Sequence, residues 1–320
     1  MTGWERCNGM ADGRWLTFMG SFIADLTFRA ETMPAWGQTV FGSDFRIGAG
    51  GKGSNQAIAA ARLGGRVGFI ATLGRDTFAD LARHAWAAEG IDTTFCTETA
   101  DHGTGAAAVV VHATRGENAI VVDPGSGMFL GVADVERAAG RIADSAVFVT
   151  QLELAAATVA RALAIARAAG VTTVLNPAPA MLLEDDVYRL CDYLTPNESE
   201  AARLVGFPVA TAADAARAAE VLLGRGAGNV VVTLGAQGAL ARNGRVTALV
   251  PAFEAGPVVE TTGAGDAFNG ALAVGLSEGM DLVEATRFGC AAGGLSVTRA
   301  GTSASMPMRA DVESLLKAEG

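Results

Sequence analysis

Short apolar runs alternate with Ala-rich amphipathic stretches along most of the chain, and that rhythm predicts its elements. Trp15–Ser21 and Val67–Thr72 are apolar runs bounded by Gly, Ser or polar residues, the pattern of buried strands. Residues 26–47 lack helical periodicity and carry Pro34, Gly37 and Gly42, which predicts short strands and turns. Ala57–Leu63 and Phe78–Glu89 read as helices, the second closed by Gly90, and Ile91–Phe95 as an extended segment. Gly105–His112 and Asn118–Val122 flank Arg115-Gly116-Glu117 as a hairpin does. With residues 26–47 it predicts a small separate sheet of about four strands near Asp25.

From residue 130 the pattern becomes a regular alternation. Helices are predicted at Val132–Ile142, Ala155–Ala169, Ala212–Leu223, Ala267–Leu276 and Phe288–Val297. Strands are predicted at Ala146–Thr150, Val171–Leu175, just before Thr195, and Asn229–Thr233. Repeated strand–helix units with Gly or polar residues at strand ends specify an α/β fold. Its sheet is doubly wound and mostly parallel, with a site along its carboxyl edge.

Composition narrows the picture. The 320 residues suffice for one large α/β domain or two smaller ones, and with 50% hydrophobic and 18% charged residues only the ends are expected to be disordered. A net charge of −10 argues against nucleic-acid or anionic-membrane partners, so any phosphate site must be built locally. Lys52 and Lys317 are the only lysines, and Lys52 lies in a Gly-rich stretch. Cys7, Cys96, Cys191 and Cys290 are widely spaced, which suggests reduced thiols and no metal cluster. His84, His102 and His112 lack metal-ligand spacing. No apolar run has transmembrane length, and Met1–Gly13 is polar and reads as a tail outside the fold. The expectation is a soluble cytoplasmic protein.

Two Gly-rich turns that open helices carry the candidate chemistry. In Glu260-Thr-Thr-Gly-Ala-Gly-Asp-Ala-Phe-Asn-Gly270 the N–H groups of Gly263, Ala264 and Gly265 can hold an anion at a positive helix end. Asp266 would repel that anion. General base is the economical role for it, taking a proton from a hydroxyl that attacks a phosphoryl group. The bland alternative is an N-capping Asp. The second turn, Gly48-Ala-Gly-Gly51-Lys52-Gly53-Ser-Asn55-Gln56, keeps neither the Walker A order nor the dinucleotide fingerprint. Its backbone can approach a ligand closely and Asn55 can both donate and accept, or it is an ordinary turn. Asp25 sits just past a strand end, as a ligand group or a solvated edge residue. Glu153, Asn197 and Glu200 fall at further strand ends, where each alone reads as a cap or surface group. Aligned on one edge with Asp25 and Asp266, such carboxylates point to a nucleotide with Mg²⁺, and Glu200 is the candidate for ordering the hydrated ion.

These stretches resemble the ribokinase-like (PfkB-type) carbohydrate kinases over roughly Trp15 to Leu316. The likeness is carried by Gly50–Gln56, Gln151-Leu-Glu153, Leu175–Pro179, Thr195–Glu200, Val232–Gly235 and Thr261–Gly270, in that order. It implies a three-layer α/β/α core with a β-sheet lid, formed by about residues 22–48 and 104–124 inserted into one kinase domain of residues 14–320. The lid would serve as a homodimer interface. It implies transfer of the ATP γ-phosphate to a sugar's primary hydroxyl, with Asp266 as base and Gly263–Gly265 as anion hole. Asp25, Gly51, Lys52, Asn55 and Glu153 would bind the sugar. Asn197, Thr233, Leu234, Gly235, Gly238 and Gly265 would meet ATP, with Cys290 near the adenine. Glu200 would act with Mg²⁺ and phosphate. Glu260, Thr262, Ser296, Arg299, Gly301 and Ser305 match a monovalent-cation (K⁺) site, several through backbone carbonyls.

Three positions depart from the family pattern. Ile23 stands where the ribose-specific branch has Asn and the deoxyribose branch an apolar residue, and an apolar side chain cannot bond a hydroxyl. Glu260 replaces Asp at the cation site, which puts K⁺ activation in question, and Gln38 replaces Glu in Gly37-Gln-Thr39 with little consequence expected. The leading reading is an ATP-dependent pentose kinase making D-ribose 5-phosphate, with 2-deoxyribose, another sugar or a nucleoside as the same-class alternative. A catalytically silent sugar sensor is the remote one. A dinucleotide dehydrogenase is disfavoured by the Gly spacing.

Overall fold

The computed structural model describes residues 13–115 and 118–318. Residues 1–12 of the expected tail, and Gly116 and Glu117 of the expected hairpin tip, lie outside the described residues.

In chain order the first half contains β1 (Trp15–Met19), β2 (Ile23–Ala30), β3 (Ser43–Gly50), α1 (Lys52–Arg62), β4 (Val67–Ile70), β5 (Thr72–Leu73), α2 (Thr77–Ala88), β6 (Thr97–Glu98), β7 (Thr104–His112) and β8 (Asn118–Gly125). The second half contains α3 (Val132–Arg137), α4 (Ala139–Ala143), β9 (Ser145–Gln151), α5 (Ala156–Ala168), β10 (Thr172–Asn176), α6 (Asp185–Tyr188), β11 (Tyr193–Leu194), α7 (Glu198–Val205), α8 (Ala212–Gly224), β12 (Asn229–Thr233), β13 (Ala239–Arg242), β14 (Thr247–Val250), α9 (Ala264–Ser277), α10 (Leu282–Ser296) and α11 (Arg309–Ala318).

The main sheet has the order β14-β13-β12-β11-β10-β9-β1-β4. All pairs from β4 to β12 are parallel, and β13 and β14 close one edge as an antiparallel hairpin. Its inner strands are buried on both faces, so successive side chains enter opposite cores. Val147, Val149, Val174 and Val231 pack with α1, α9 and α10, whereas Phe148, Leu175, Val230 and Val232 pack with α5, α7 and α8. This is the expected three-layer α/β/α architecture. A second sheet, β3-β2-β7-β8, is mixed: β2 runs parallel to β7 and the outer pairs are antiparallel.

Several elements differ from the pattern-based reading. Helix α1 begins at Lys52, five residues before the predicted start, and α9 begins at Ala264 rather than Ala267. Gly, Ser and Asn have low helix propensity, but Gly53, Ser54 and Asn55 are buried and tertiary packing overrides it. The predicted helix Val132–Ile142 is broken at Ala138 into α3 and α4. Ile91–Phe95 makes only an isolated bridge, Asp92 to Gly68. The helices α7 and α11 and the hairpin β13–β14 were not anticipated.

Candidate active site

The parallel strands all point the same way, so the residues following β1, β9, β10, β11 and β12 meet at one edge, where α1 and α9 also begin. Gly51 lets α1 start there. It has φ 88°, and a Cβ on it would lie 2.7 Å from the Ser21 carbonyl and 2.8 Å from the Ile23 nitrogen. Gly263 does the same for α9 with φ 88° as its N-cap. Among the described residues none accepts a hydrogen bond from the N–H groups of Gly265 or Asp266, while the Ala264 N–H makes a long bond to the Thr261 carbonyl at 3.3 Å, and a Cβ on Gly265 would meet nothing within 4 Å. The positive end of α9 therefore faces open space, as an anion hole requires.

Asp266 is the third residue of α9 and is buried, which rules out the N-cap alternative. Its two oxygens are held from α1. Asn55 Nδ2 donates to Oδ2 at 2.9 Å and Gln56 Nε2 to Oδ1 at 3.0 Å. Burial raises its pKa, opposed by the Lys52 charge and the two amide donors. Two donors that cannot accept keep the carboxylate an acceptor, which is the form a base needs.

Gln56 heads a buried amide relay. It also bonds Asn176 Oδ1 at 3.2 Å and accepts from Gln151 Nε2 at 2.7 Å. Asn176 donates to the Thr195 carbonyl at 2.9 Å, Thr195 Oγ1 to Asn269 Oδ1 at 2.6 Å, and Asn269 Nδ2 to the Gly265 carbonyl at 2.8 Å. The relay thus returns to the helix that carries Asp266. Gln151 Oε1 is a buried acceptor without a partner among the described residues, wedged between Gly20 and Gly53.

Lys52 and Glu153 form the next layer. The Lys52 backbone N–H donates to Glu153 Oε2 at 3.0 Å, and Ser21 Oγ donates to the same oxygen. Burial alone would lower the Lys52 pKa, but Asp266, Glu153 and Glu200 outweigh it and hold the ammonium charged. Burial raises Glu153, against the pull of Lys52 and Ser21. Ile23 and Asp25, two apart on β2, share one face. Asp25 rises to about 6, mainly through burial, with the Thr302 hydroxyl pulling down and Glu153, Glu260 and Asp266 pushing up.

On the other side of α9, Asn197 caps α7 by accepting from the Glu200 N–H at 2.8 Å, while Glu200 Oε2 accepts from the Asn197 N–H at 2.9 Å. Burial raises Glu200. Asn197 bridges to Thr233, after which Gly235–Gln237 form a 3₁₀ turn and Gly238 leads into β13. The Leu234 side chain is buried in the core, so only its backbone can meet a ligand. Cys290 lies in α10, which packs against β13 and β14; burial pushes its thiol up to about 12.

The candidate cation residues also converge. Glu260 Oε2 accepts from the Gly301 N–H at 2.9 Å, its backbone N–H meets the Val297 carbonyl, and Ser305 Oγ donates to the Thr302 carbonyl at 2.8 Å. Ser296 Oγ bonds within its own helix and the Arg299 guanidinium pairs with Asp311, so such a site would draw on their backbone carbonyls, of which that of Ser296 also accepts from the Arg299 N–H at 3.2 Å. Thr262 follows Glu260 into the turn before α9. The relay residues Gln56, Gln151, Asn176, Thr195 and Asn269, with Ser21, Thr302 and Ser303, went unassigned from sequence. All five relay residues lie inside the stretches that carry the family likeness, and that is the available signal; Ser21, Thr302 and Ser303 lie outside them.

The chain is 39% identical over 302 residues to ribokinase of Haemophilus influenzae, covering 94% of this chain and 98% of that one. It is 36% identical to deoxyribokinase of Salmonella typhi, covering 91% and 95%. Among solved structures, Arabidopsis thaliana ribokinase complexed with ribose and ATP superposes with a TM-score of 0.88 at 30% identity, covering 95% of this chain and 99% of that one. Residues 16–309 match the model of the pfkB family carbohydrate kinases, and the chain belongs to that family.

Proposed function

We propose that the protein transfers the γ-phosphate of ATP to the primary hydroxyl of D-ribose, giving D-ribose 5-phosphate. The observation that carries this reading is Asp266, a buried carboxylate held as an acceptor by Asn55 and Gln56 at the open N-terminus of α9. Asp25, Gly51, Lys52, Asn55 and Glu153 orient the sugar so that its primary hydroxyl reaches Asp266. Asp266 takes the hydroxyl proton as the oxygen attacks in line. The N–H groups of Gly263, Ala264 and Gly265 receive the charge that develops on the transferring group. Asn197, Thr233, Leu234, Gly235 and Gly238 line the nucleotide side, with Cys290 behind the adenine.

Among the described residues no group of three potential ligands could cage a metal ion. A hydrated Mg²⁺ held through phosphates would be ordered by Glu200, whose Oε1 carries no bond among the described residues. Bound Mg²⁺ would neutralise phosphate charge. For a monovalent cation the donors are the Glu260 carboxylate and the backbones of Thr262, Ser296, Arg299 and Gly301 with Ser305. The Glu260–Gly301 bond supports this set by drawing the two segments together.

The mixed sheet acts as a lid over the sugar, and its exposed Phe28, Phe45 and Ile47 support a homodimer formed through it. The protein works in the cytoplasm, in keeping with free Cys96, Cys191 and Cys290; among the described residues no helix is long and apolar enough to cross a membrane. One observation favours a second substrate, 2-deoxyribose: apolar Ile23 shares a face with Asp25. The deciding experiment is ATP-dependent phosphorylation of D-ribose, 2-deoxy-D-ribose, D-fructose, D-apiose and adenosine with K⁺ and Mg²⁺ present. Preference for ribose is expected. Preference for deoxyribose makes Ile23 the selector, and no turnover with any of them refutes the assignment.

A further inference from the structure

Two hydroxyls from the turn between α10 and α11 reach the sugar-facing side chains. Thr302 Oγ1 lies 2.9 Å from Asp25 Oδ2 and 3.0 Å from the Ala49 carbonyl, its one proton shared between two acceptors. Ser303 Oγ donates to Asn55 Oδ1 at 2.6 Å. Neither residue belongs to a Gly-rich turn, and both are more than 240 residues from their partners.

We propose that Thr302 and Ser303 are positioning residues of the sugar site, holding Asp25 and Asn55 so that each presents its remaining hydrogen-bonding atom to the acceptor sugar. The proposal rests on the reading of Asp25 and Asn55 as sugar ligands. With Oδ2 of Asp25 engaged by Thr302, Oδ1 carries no bond among the described residues and is not sealed from solvent. It is the oxygen left to accept from a sugar hydroxyl. The Ser303 hydroxyl fixes the carbonyl end of the Asn55 amide, so the amino end faces Asp266 with one proton spare. The two side chains thus set the polarity of the pocket on both sides.

The turn that carries them is held rigidly, as a positioning device must be. The Gly301 N–H is anchored on Glu260, and Arg62 donates to the carbonyls of Ser303 at 3.1 Å and Met306 at 2.8 Å. Arg62 is itself paired with Glu89. Ser303 and Ser305 are buried. A tether serving only to dock the turn on β3 would need the Ala49 contact and neither of the other two.

The test is steady-state kinetics of Thr302→Val, which keeps the shape and drops the hydroxyl, and Ser303→Ala, with D-ribose and 2-deoxy-D-ribose, beside Asp25→Asn. We expect KM for the sugar to rise about tenfold in each, as loss of a bond to a charged or aligned group does, with KM for ATP within about twofold of the parent. Thr302→Ser should restore the sugar KM. In Thr302→Val the acid limb of kcat/KM for the sugar should move to higher pH. The lost donor had held Asp25 down, and the charges of Glu153, Glu260 and Asp266 facing it are unchanged. Sugar KM unmoved in both variants while Asp25→Asn raises it would overturn the proposal. So would equal shifts for sugar and ATP that Thr302→Ser does not rescue, which would mark a purely structural role. If Asp25→Asn itself leaves the sugar KM unchanged, the assignment of Asp25 falls and the proposal falls with it.

Discussion

Gln56 Nε2 donates to Asp266 Oδ1 at 3.0 Å, from a side chain that is fully buried and 210 residues away in sequence. The bond fixes one carboxylate oxygen, and Asn55 Nδ2 holds the other, Oδ2, at 2.9 Å, so both are set from α1 in a single rotamer. Gln56→Leu removes the donor and orphans Asn176 Oδ1 and Gln151 Nε2 as well. Its expected cost is about 1–3 kcal/mol of stability for the unsatisfied groups, read as a lower midpoint in urea. kcat should also fall about tenfold, since the base is no longer held in one rotamer. Unchanged kcat would mean that Asn55 alone orients Asp266.

Asp266→Asn tests the base itself. The substitution keeps the volume but puts an amide where a proton must be accepted. kcat should fall at least about 10²-fold, with ATP binding retained by calorimetry. Near-normal turnover would remove Asp266 from the proton transfer.

Much of this arrangement was legible in the sequence, and the limit is physical. Short apolar runs and Gly-bounded helices announce a parallel α/β sheet, because strands buried on both faces must be apolar throughout. The Gly-rich turns were legible because only Gly tolerates φ near +88° at residues 51 and 263. Strand-end residues such as Glu153 and Asn197 could be placed on one edge because parallel strands share a direction. What could not be read was which polar side chain meets which. Gln56, Asn176 and Asn269 are ordinary residues until β10, α1 and α9 are packed together, and no periodicity encodes that meeting. The early start of α1 was hidden for a related reason: Gly53 and Ser54 are helical through burial, against their intrinsic preference.

Residue 23 is expected to tune how strongly the site favours ribose over 2-deoxyribose. Its side chain is buried, its Cδ1 lies against Gly105, and it shares the Asp25 face of β2. Ile23→Asn supplies a donor and an acceptor toward a hydroxyl that deoxyribose lacks. The ratio of kcat/KM for ribose over 2-deoxyribose should rise about tenfold or more, since a polar site penalises the ligand that leaves it unpaired. An unchanged ratio would mean that residue 23 does not face the sugar.

Glu260 gives a test of cation dependence that does not depend on the sugar. If its carboxylate serves an ion while holding Gly301, replacing Na⁺ with K⁺ at constant ionic strength should raise activity. It should also raise the thermal midpoint of the sugar-free protein, because an ion bound to the folded state stabilises it by mass action. Indifference of both readouts would confine Glu260 to anchoring the turn.

The pKa of Asp25 predicts a pH signature with a definite sign. Burial raises it from 3.8 to about 6, so the folded protein binds its proton more tightly than the unfolded chain does. The carboxylate therefore weakens the fold above pH about 6, and the penalty disappears as the pH falls below the unfolded value near 4. Asn at this position carries no charge to desolvate. Asp25→Asn should raise the melting temperature at pH 8, and the gain should shrink to nothing by pH about 4. Sugar affinity should run the other way. The ionised form accepts the sugar hydroxyl, so kcat/KM for the sugar should fall as pH drops through about 6, while KM for ATP changes little. A stability gain that persists at pH 4 would trace the effect to packing rather than to the buried charge.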